Sequence, residues 1–407
     1  MSRVETAFFD ALCVGVRGGE LPREYDLTAD EWEDLLLLSS EQEVLPLVYD
    51  AVCSCSSFHR IDRERRKYLR DKALSVAIRQ IVQTNEFLNL ILHAHEKGLD
   101  PVVLKGITIR SLYPKPMLRP SVDEDLLVPS GEMRKYHDFL VSEGLEPDDK
   151  ELPPDGAPEL SYHRPNSPTY IELHSTAFPS SPAYGDCNEP FVGAAERSTE
   201  VTIEDVTMRT LSHTDHLLYL ILHAYKHFLH GGFGIRHVCD MGMFAEHWGA
   251  RIDAGYVMAQ CEKLHIGRFA AALFRICEEQ LGFGDLGLFP GIEVDTAHLL
   301  DDIISGGLYG ANDINRMHSS TLTLEAVASQ REGRKRRSAL HSVFLPRKDL
   351  DGRYPYLRKR PWLLPAAWAQ RIWKYVFDRR GGRVSASESL KIGRDRIELL
   401  KEYDIIE

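Results

Sequence analysis

The sequence predicts an α+β fold, with a small mixed β-sheet between an N-terminal and a C-terminal helical segment. Before residue 97 and again after residue 211, apolar residues recur at the spacing of amphipathic helices. Between these segments, short apolar runs are separated by glycine, proline and acidic residues, as in strands joined by turns. A length of 407 residues, of which 43% are hydrophobic, is sufficient for two or three domains.

The first predicted region is a helical segment over residues 1–97. Thr28-x-x-Glu31 has the pattern of a capping box, and a long helix is predicted over 62–97 with Gly98 as its stop. The sheet-bearing core follows over 98–210. Beyond it we expect a C-terminal helical domain over 211–330 and a basic, aromatic region over 331–407.

The core is predicted to alternate strands with short helices. Residues 99–104 form a compact apolar run, and residues 170–174 alternate between apolar and polar side chains. A short helix over 107–113 is broken by Pro114. The other predicted elements are a strand over 122–128, a helix over 133–144, a loop or irregular hairpin over 145–168 and an edge strand over 201–208.

The C-terminal helical domain is predicted to contain helices over 215–230, 238–248, 256–264 and 268–281. His223 and His227 lie one helical turn apart on the first, with Lys226 beside them. This spacing suits a zinc ion, a contact of Lys226 or His227 with a triphosphate, or plain helix packing. Arg236 and Asp240, also one turn apart, form either an ion pair or part of a substrate site.

Two aspartates stand two residues apart before an apolar run, in Asp123-Glu-Asp125-Leu-Leu-Val. Side chains alternate along a strand, so Asp123 and Asp125 are predicted to project from one face. Neighbouring carboxylates repel each other unless a positive charge lies between them. Mg²⁺ provides such a charge and is bound by one or two carboxylates together with substrate phosphates. The pattern indicates metal-assisted phosphoryl or nucleotidyl transfer; the alternative is a turn or helix cap.

Glu172 is the candidate for a third carboxylate. It lies within the predicted strand 170–174, where Tyr170 and His174 share its face. If this strand lies beside the strand of Asp123 and Asp125, three acids converge, and the third completes the metal site or acts as a base. The alternative is an acid on a strand face that is exposed to water.

Several short motifs follow one another along the chain. They are Leu104-Lys-Gly106, Leu112-Tyr-Pro114, Arg119-x-x-x-Asp123-x-Asp125-Leu-Leu-Val, Glu172-Leu-His174, Leu222-His-Ala-Tyr-Lys226-His227, Gly234-Ile-Arg236-His-Val-Cys-Asp240, Arg353-Tyr-Pro-Tyr-Leu357 and Trp362-Leu-Leu-Pro365. In this layout the chain resembles the uncharacterised nucleotidyltransferase family of the polymerase-β-like nucleotidyltransferase superfamily. The likeness covers about residues 30–380.

The resemblance implies a nucleotidyltransferase core between helical segments, acting on an NTP such as ATP with Mg²⁺ or Mn²⁺. By motif, Asp123, Asp125 and Glu172 become the catalytic and metal-binding acids. Lys105-Gly106 matches a turn where backbone amides approach phosphates. Arg119, Lys226 and Arg236 become further candidates for binding the nucleotide. The acceptor of the transferred nucleotide is a small molecule, a protein or an RNA.

Two positions depart from the superfamily pattern. The turn usually carries Gly-Ser or Gly-Gly, but here it is Gly106-Ile107, and the residue between the aspartates is Glu124 instead of an apolar one. Glu124 is expected on the opposite strand face, where a buried acid is costly without a partner. Either it lies at an exposed strand end, or the site is altered. These departures favour a rival hypothesis, a nucleotide-binding or interaction protein without turnover. A metal-dependent phosphohydrolase is a second rival.

Charge and cysteine content restrict the partners. The net charge of −12 argues against a general nucleic-acid coat protein, but residues 331–380 hold fifteen Lys and Arg against four Asp and Glu. This stretch is a phosphate-facing or RNA-facing surface, or a solvated tail whose charges pair with the acidic body. Its basic, aromatic part over 358–380 packs on the body as an amphipathic helix, contacts RNA or DNA, or lies on an anionic membrane surface. Seven scattered cysteines indicate reduced thiols and a cytoplasmic protein. No transmembrane segment is expected.

Overall fold

The computed structural model describes residues 1–149, 157–307, 314–333, 347, 350, 354, 356–377 and 386–407. The described strands are β1 (Val102–Val103), β2 (Glu124–Leu127), β3 (Glu146–Pro147), β4 (Glu159–His163), β5 (Tyr170–His174), β6 (Thr199–Ile203) and β7 (Val206–Thr210). They form one sheet in the order β3-β4-β5-β2-β1-β7-β6. β1 pairs antiparallel with β2 and parallel with β7, and β2 pairs parallel with β5. The predicted α+β class with a mixed sheet is confirmed.

Four helices precede the sheet: α1 (Arg3–Arg17), α2 (Ala29–Glu41), α3 (Leu45–Val52) and α4 (Arg63–Glu96). The predicted capping box begins α2, because Thr28 accepts a hydrogen bond from the Glu31 amide and Glu31 accepts one from the Thr28 amide. Asp62 caps the 34-residue helix α4, which the sequence predicted over almost the same residues. Between strands lie α5 (Ile107–Arg110) and α6 (Met133–Ser142).

Among the described residues up to 331, the helices that follow the sheet are α7 (His213–His230), α8 (Ile235–Trp248), α9 (Ala254–Lys263), α10 (Gly267–Gln280), α11 (Ala297–Gly306) and α12 (Ile314–Arg331). The first four match the predicted helices to within a few residues. Further along the chain are α13 (Tyr356–Lys359), α14 (Leu364–Phe377) and α15 (Ala386–Glu402). In the part of the chain that the structure describes, no helix has the length and apolarity to cross a bilayer.

Both faces of the sheet are covered, and β1 is buried on each side. Val103 packs with strands β2, β4 and β5 and with α4 and α6. Val102 and Leu104 point into a second, larger core that contains side chains of α1–α3, α7–α12 and α15. The N-terminal helices and the C-terminal helices therefore share one apolar core, which holds α7 and α8 against the sheet.

The region 199–210 differs from the prediction of a single edge strand over 201–208. It forms the hairpin β6–β7, in which Glu204 and Asp205 make the turn at positive φ. Of these two strands, β6 lies at an edge of the sheet and β7 pairs with β1. The turn was missed because it contains neither glycine nor proline, the usual residues where φ is positive.

The predicted irregular hairpin over 145–168 is observed as β3 paired with β4, and residues 150–156 lie outside the described residues. Much of the basic, aromatic region also lies outside them, including residues 334–346 and 378–385. Its described part contains a small apolar cluster of Leu350, Leu357 and Ala367. The predictions of an RNA-facing or membrane-facing surface on 331–380 therefore stay predictions.

Helix α15 contacts the C-terminal end of α7. Arg396 of α15 donates hydrogen bonds to the carbonyl oxygens of Phe228 and His230. Asp302 of α11 balances the charge of this buried arginine and pairs with Arg316 of α12 at 2.5 Å. The last carbonyls of a helix have no partner within the helix, so α15 completes the end of α7 from outside.

Candidate active site

Three acidic side chains meet at the centre of the sheet because of the register of β2 and β5. These strands are parallel neighbours, and Asp125 lies directly opposite Glu172. Asp123 immediately precedes β2 and is joined to the same group through Lys105. The predicted convergence of Asp123, Asp125 and Glu172 is observed, and the buried position of Asp125 excludes the alternative of a turn or helix cap.

The segment before Asp123 is held by two glutamines of α4. Gln80 accepts a hydrogen bond from the Ser121 amide and donates one to the Ser121 carbonyl oxygen. Gln83 donates to the carbonyl oxygen of Val122. Because amide side chains carry both a donor and an acceptor, they satisfy the extended backbone like a neighbouring strand. Helix α4 thus sets the path along which Asp123 enters the site.

Lys105 provides the positive charge between the two aspartates. It directly follows the apolar run of β1, and its Nζ lies 3.5 Å from Asp123 Oδ2 and 3.3 Å from Asp125 Oδ2. The Leu104 amide donates to the Asp125 carbonyl oxygen, which fixes the two strand ends against each other. The lysine is mostly buried, at 13% side-chain exposure, so its ammonium group is weakly screened by water.

His174 provides a second cation at the other side of Asp125. Its Nε2 lies 2.9 Å from Asp125 Oδ1 and 3.5 Å from Glu172 Oε2, and its Nδ1 lies 3.6 Å from Glu159 Oε2. Burial alone disfavours protonation, but the hydrogen bonds to Asp125 and Glu172 raise the pKa of His174 to about 9. The imidazolium form therefore predominates at neutral pH.

The two central carboxyls differ in their protonation. Burial opposes ionisation of Asp125, but the charge of Lys105 and the hydrogen bond from His174 lower its pKa to about 2. Burial raises the pKa of Glu172, against the hydrogen bond with His174, and the negative charge of Asp125 raises it further. Asp125 is consequently a permanent anion, whereas Glu172 is the carboxyl that more readily accepts a proton.

Glu124 lies on the opposite face of β2 and is 0% exposed, so the expectation of an exposed strand end is wrong. Its Oε1 accepts a hydrogen bond from Arg110 Nη2 at 2.8 Å, and its Oε2 accepts one from the Ile107 amide at 2.7 Å. The carboxylate thereby ties α5 and the preceding turn to β2. Glu124, at a position where an apolar residue is usual, therefore stabilises the local fold. Its charge lies on the face of β2 opposite to Asp125.

The turn at Gly106 has a specific steric reason for glycine. Its φ is +82°, and a Cβ at this position would collide with the Glu124 carboxylate. However, the Ile107 amide is engaged by Glu124, so it does not present its hydrogen to a phosphate as the motif implied. The turn therefore positions Lys105, and the Ile107 amide within it is already used by Glu124.

Arg119 lies in a buried ion pair away from the carboxylates. It binds Asp240 of α8 through Nε at 3.1 Å and Nη2 at 2.5 Å, and Tyr113 donates a third hydrogen bond to the same aspartate. Burial opposes ionisation of Asp240, but Arg119 lowers its pKa. The ion partner of Asp240 is thus Arg119, whereas the neighbouring Arg236 donates to the carbonyl oxygen of Pro120. Both arginines hold the segment that leads to Asp123.

A group of histidines faces Lys105 from the helical side. Lys105 Nζ lies 3.1 Å from His223 Nε2, and that nitrogen lies 3.2 Å from His227 Nε2. His237 of α8 joins them, with ring centroids 5.6 Å from both. We name His223, His227 and His237 the histidine cluster, and Asp123, Asp125 and Glu172 the carboxylate cluster. Lys226 precedes His227 on α7 and is half-buried.

The donor set of the carboxylate cluster fits a hard divalent cation. Carboxylate oxygens are the ligands that Mg²⁺ and Mn²⁺ prefer. In addition, Asp125, Glu172 and His174 place one potential ligand atom each within 4.8 Å of one another. The sequence identified every acid of this group but assigned no role to His174, although its position on the Glu172 face was a usable signal. A cleft of about 650 Å³ lies elsewhere, between α4 and the β6–β7 hairpin.

The model of a family described as uncharacterised nucleotidyltransferase matches residues 28–282, more than half of the chain. This range contains the carboxylate cluster, Lys105 and the histidine cluster. No curated protein matches the chain, and no solved structure does.

Proposed function

The chain belongs to the uncharacterised nucleotidyltransferase family, and on that basis we propose that it transfers a nucleoside monophosphate from an NTP to an acceptor with release of pyrophosphate. The observation that carries this proposal is the register of Asp125 against Glu172 on adjacent parallel strands, with Asp123 just before β2 and joined to Asp125 through Lys105. Lys105 and His174 already balance part of the charge of these acids, and the support for a metal is the chemistry of the ligand set, because clustered carboxylate oxygens are the ligands that Mg²⁺ and Mn²⁺ prefer.

Asp123, Asp125 and Glu172 are the residues that we assign to holding Mg²⁺ or Mn²⁺. A bound divalent cation supplies positive charge to the phosphates of the NTP and orients them for in-line attack. The permanent anionic state of Asp125 suits a ligand, because a ligand must be deprotonated. His174 orients the Asp125 carboxylate by its hydrogen bond, as residues behind metal ligands commonly do.

Lys105 and Glu172 have further roles in this proposal. Lys105 balances the carboxylates and adds charge complementary to the triphosphate, which is negative throughout the reaction. Glu172 either completes the metal site as a deprotonated ligand or accepts the proton of the attacking hydroxyl, and its raised pKa and partly exposed side chain suit the second role. Lys226 and Arg236 stay candidates for nucleotide contacts from the helical side, whereas the pairing with Asp240 favours a positioning role for Arg119.

The acceptor is a small molecule, a protein or an RNA, and ATP is the NTP that we propose to test first. The seven cysteines are free thiols, which accords with a reducing, cytoplasmic setting. The rival of a binding protein without turnover lost one of its two reasons, because Glu124 is paired with Arg110. The phosphohydrolase rival predicts release of phosphate or nucleotide without any labelled acceptor.

The test is transfer of label from each α-labelled NTP, with Mg²⁺ or Mn²⁺, into total RNA, a protein extract or a metabolite mixture. The Asp123→Ala/Asp125→Ala double variant serves as the negative control, and Asp100→Asn, an exposed acid near the start of β1, serves as the matched positive control. We expect labelled acceptor with the wild type and Asp100→Asn only. Hydrolysis without labelled acceptor, or label that persists in the double variant, would overturn the proposal.

A further inference from the structure

We propose that His223, His227 and His237 form a binding site for one transition-metal ion, Zn²⁺ by preference, separate from the carboxylate cluster. This site uses other side chains and another class of ligand atom than the proposed nucleotidyl transfer, and Lys105 lies between the two clusters.

The spacing of the nitrogens supports the proposal. His223 Nε2 and His227 Nε2 are 3.2 Å apart, and each of the three histidines offers one ring nitrogen within 4.8 Å of the others. Two ligand nitrogens on a tetrahedral zinc ion are about 3.3 Å apart, given Zn–N bonds of about 2.0–2.1 Å. The cluster therefore needs only a small adjustment to place three imidazoles around a single ion.

The helices that carry these histidines are packed in place. His223 and His227 are one turn apart on α7, and His237 comes from the first turn of α8. Phe233, in the connection between the helices, packs edge-on against both Phe228 and His237. Gln42 accepts a hydrogen bond from the Ile235 amide and fixes the start of α8. Ligands on rigid helices bind a metal without the cost of ordering a loop.

The chemistry of the donors selects the class of ion. Three imidazoles without a carboxylate suit Zn²⁺ and similar transition metals, whereas Mg²⁺ requires oxygen ligands. Burial also keeps the imidazoles neutral, since it lowers the pKa of His237 to about 3 and lowers the pKa of His223 well below its usual value. A neutral imidazole is the form that binds a metal.

Lys105 connects this site to the carboxylate cluster. The lone pair on His223 Nε2 accepts the hydrogen bond from Lys105, and the same lone pair is required for a metal bond. Metal binding must therefore release Lys105 from His223 while it still lies near Asp123 and Asp125. Three protein ligands also leave a fourth position on zinc for water or another ligand.

The test uses the full-length protein after removal of metals with a chelator. Zn²⁺ alone is titrated by calorimetry, and Co²⁺ alone is followed by its visible absorption, which reports tetrahedral coordination. We expect one equivalent of Zn²⁺ with a submicromolar dissociation constant and an intense cobalt spectrum. His237→Gln and His227→Gln should each weaken binding by about a hundredfold or more, since even residues behind the ligands contribute about 10–100-fold.

Two controls keep the outcome interpretable. His230→Gln alters a histidine on the same helix outside the cluster and should bind zinc like the wild type. Asp123→Ala/Asp125→Ala should also retain the zinc site, although it should lose nucleotidyl transfer. Absence of stoichiometric zinc binding in the wild type would overturn the proposal, and so would binding that survives His237→Gln or disappears in the aspartate variant. X-ray absorption of the zinc-loaded wild type counts imidazole ligands without any substitution; fewer than three would also contradict the site.

Discussion

The carboxylate cluster and the histidine cluster touch the same lysine but are built in opposite ways. The carboxylates come from β2, β5 and the segment before β2, and they are charged and surrounded by cations. The histidines come from two packed helices and are held neutral by burial. His174 on the sheet has its pKa raised to about 9, whereas His237 on the helices has its pKa lowered to about 3. Histidine is therefore a cation beside the carboxylate cluster and a neutral imidazole in the histidine cluster.

This contrast shows what controls histidine ionisation in the protein. Both histidines are buried, so desolvation acts on each in the same direction. The difference arises because His174 has two carboxylates within hydrogen-bonding reach, whereas at His237 the positive charge of Arg236 acts in the same direction as burial and Asp240 does not offset the two. Proximity to the carboxylates outweighs burial on one side of Lys105, and burial prevails on the other.

The largest expected effect is a loss of nucleotidyl transfer on substitution in the carboxylate cluster, with zinc binding at the histidine cluster retained. Asp125→Asn removes the permanent anion of the carboxylate cluster and should lower transfer by about 10³-fold or more, since charge stabilisation by a metal contributes several kcal/mol. The variant should still fold, because asparagine has nearly the same shape, and should still bind one equivalent of zinc. Transfer rates, circular dichroism and zinc titration measure the three properties. Undiminished transfer would remove the carboxylate cluster from the mechanism.

The second effect tests the charges beneath the carboxylate cluster. Arg110→Met leaves Glu124 buried without its cation and should reduce the free energy of unfolding by about 3–5 kcal/mol. Urea unfolding measures this change, and Arg110→Met/Glu124→Gln should recover part of the loss. The exposed arginine in Arg275→Met is the matched control and should change stability little. An equally small effect at Arg110 would contradict the view that Glu124 holds the turn.

The third effect tests whether Lys105 connects the clusters. Lys105→Met removes a positive charge and a hydrogen bond that compete with a metal at His223, so zinc affinity should rise by about tenfold. The same substitution should lower nucleotidyl transfer, because the triphosphate loses a complementary charge. Lys115→Met alters an exposed lysine paired with Asp50 and should change neither property. Unaltered zinc affinity in Lys105→Met would separate the two clusters.

The smallest effect concerns acid stability of the helical side. Burial lowers the pKa of His216 on α7 to about 3, so the folded protein excludes a proton that the unfolded chain accepts below pH 6.5. The stability contributed by neutral His216 is present above about pH 6.5 and is lost as the pH falls toward 3, by about 1 kcal/mol per pH unit. Urea unfolding between pH 7 and 5 should show a shallower loss in His216→Phe than in the wild type. Equal losses of stability in the wild type and His216→Phe would contradict the assignment of this pH dependence to His216.

The sequence predicted the carboxylate cluster because its evidence is local. Two aspartates at strand spacing and a third acid in an alternating strand require only that β2 and β5 be neighbours. The helices of the C-terminal domain were likewise predicted from their periodicity. The histidine cluster was predicted only in half, because His237 lies on a different helix and the approach of α8 to α7 depends on packing. The roles of Glu124 and Arg119 also depended on distant partners, Arg110 and Asp240, which no spacing along the chain reveals.

The contact of α15 with the end of α7 has a consequence for folding during synthesis on the ribosome. Arg396 emerges 166 residues after His230, whose carbonyl oxygen it must satisfy. At about 5–20 residues per second, a ribosome needs roughly 8–30 s to cover this distance. Throughout that interval the end of α7 lacks its partner, and the apolar core that it shares with α15 is incomplete. The helix that carries His223 and His227 is thus among the last parts of the chain to reach its final surroundings during synthesis.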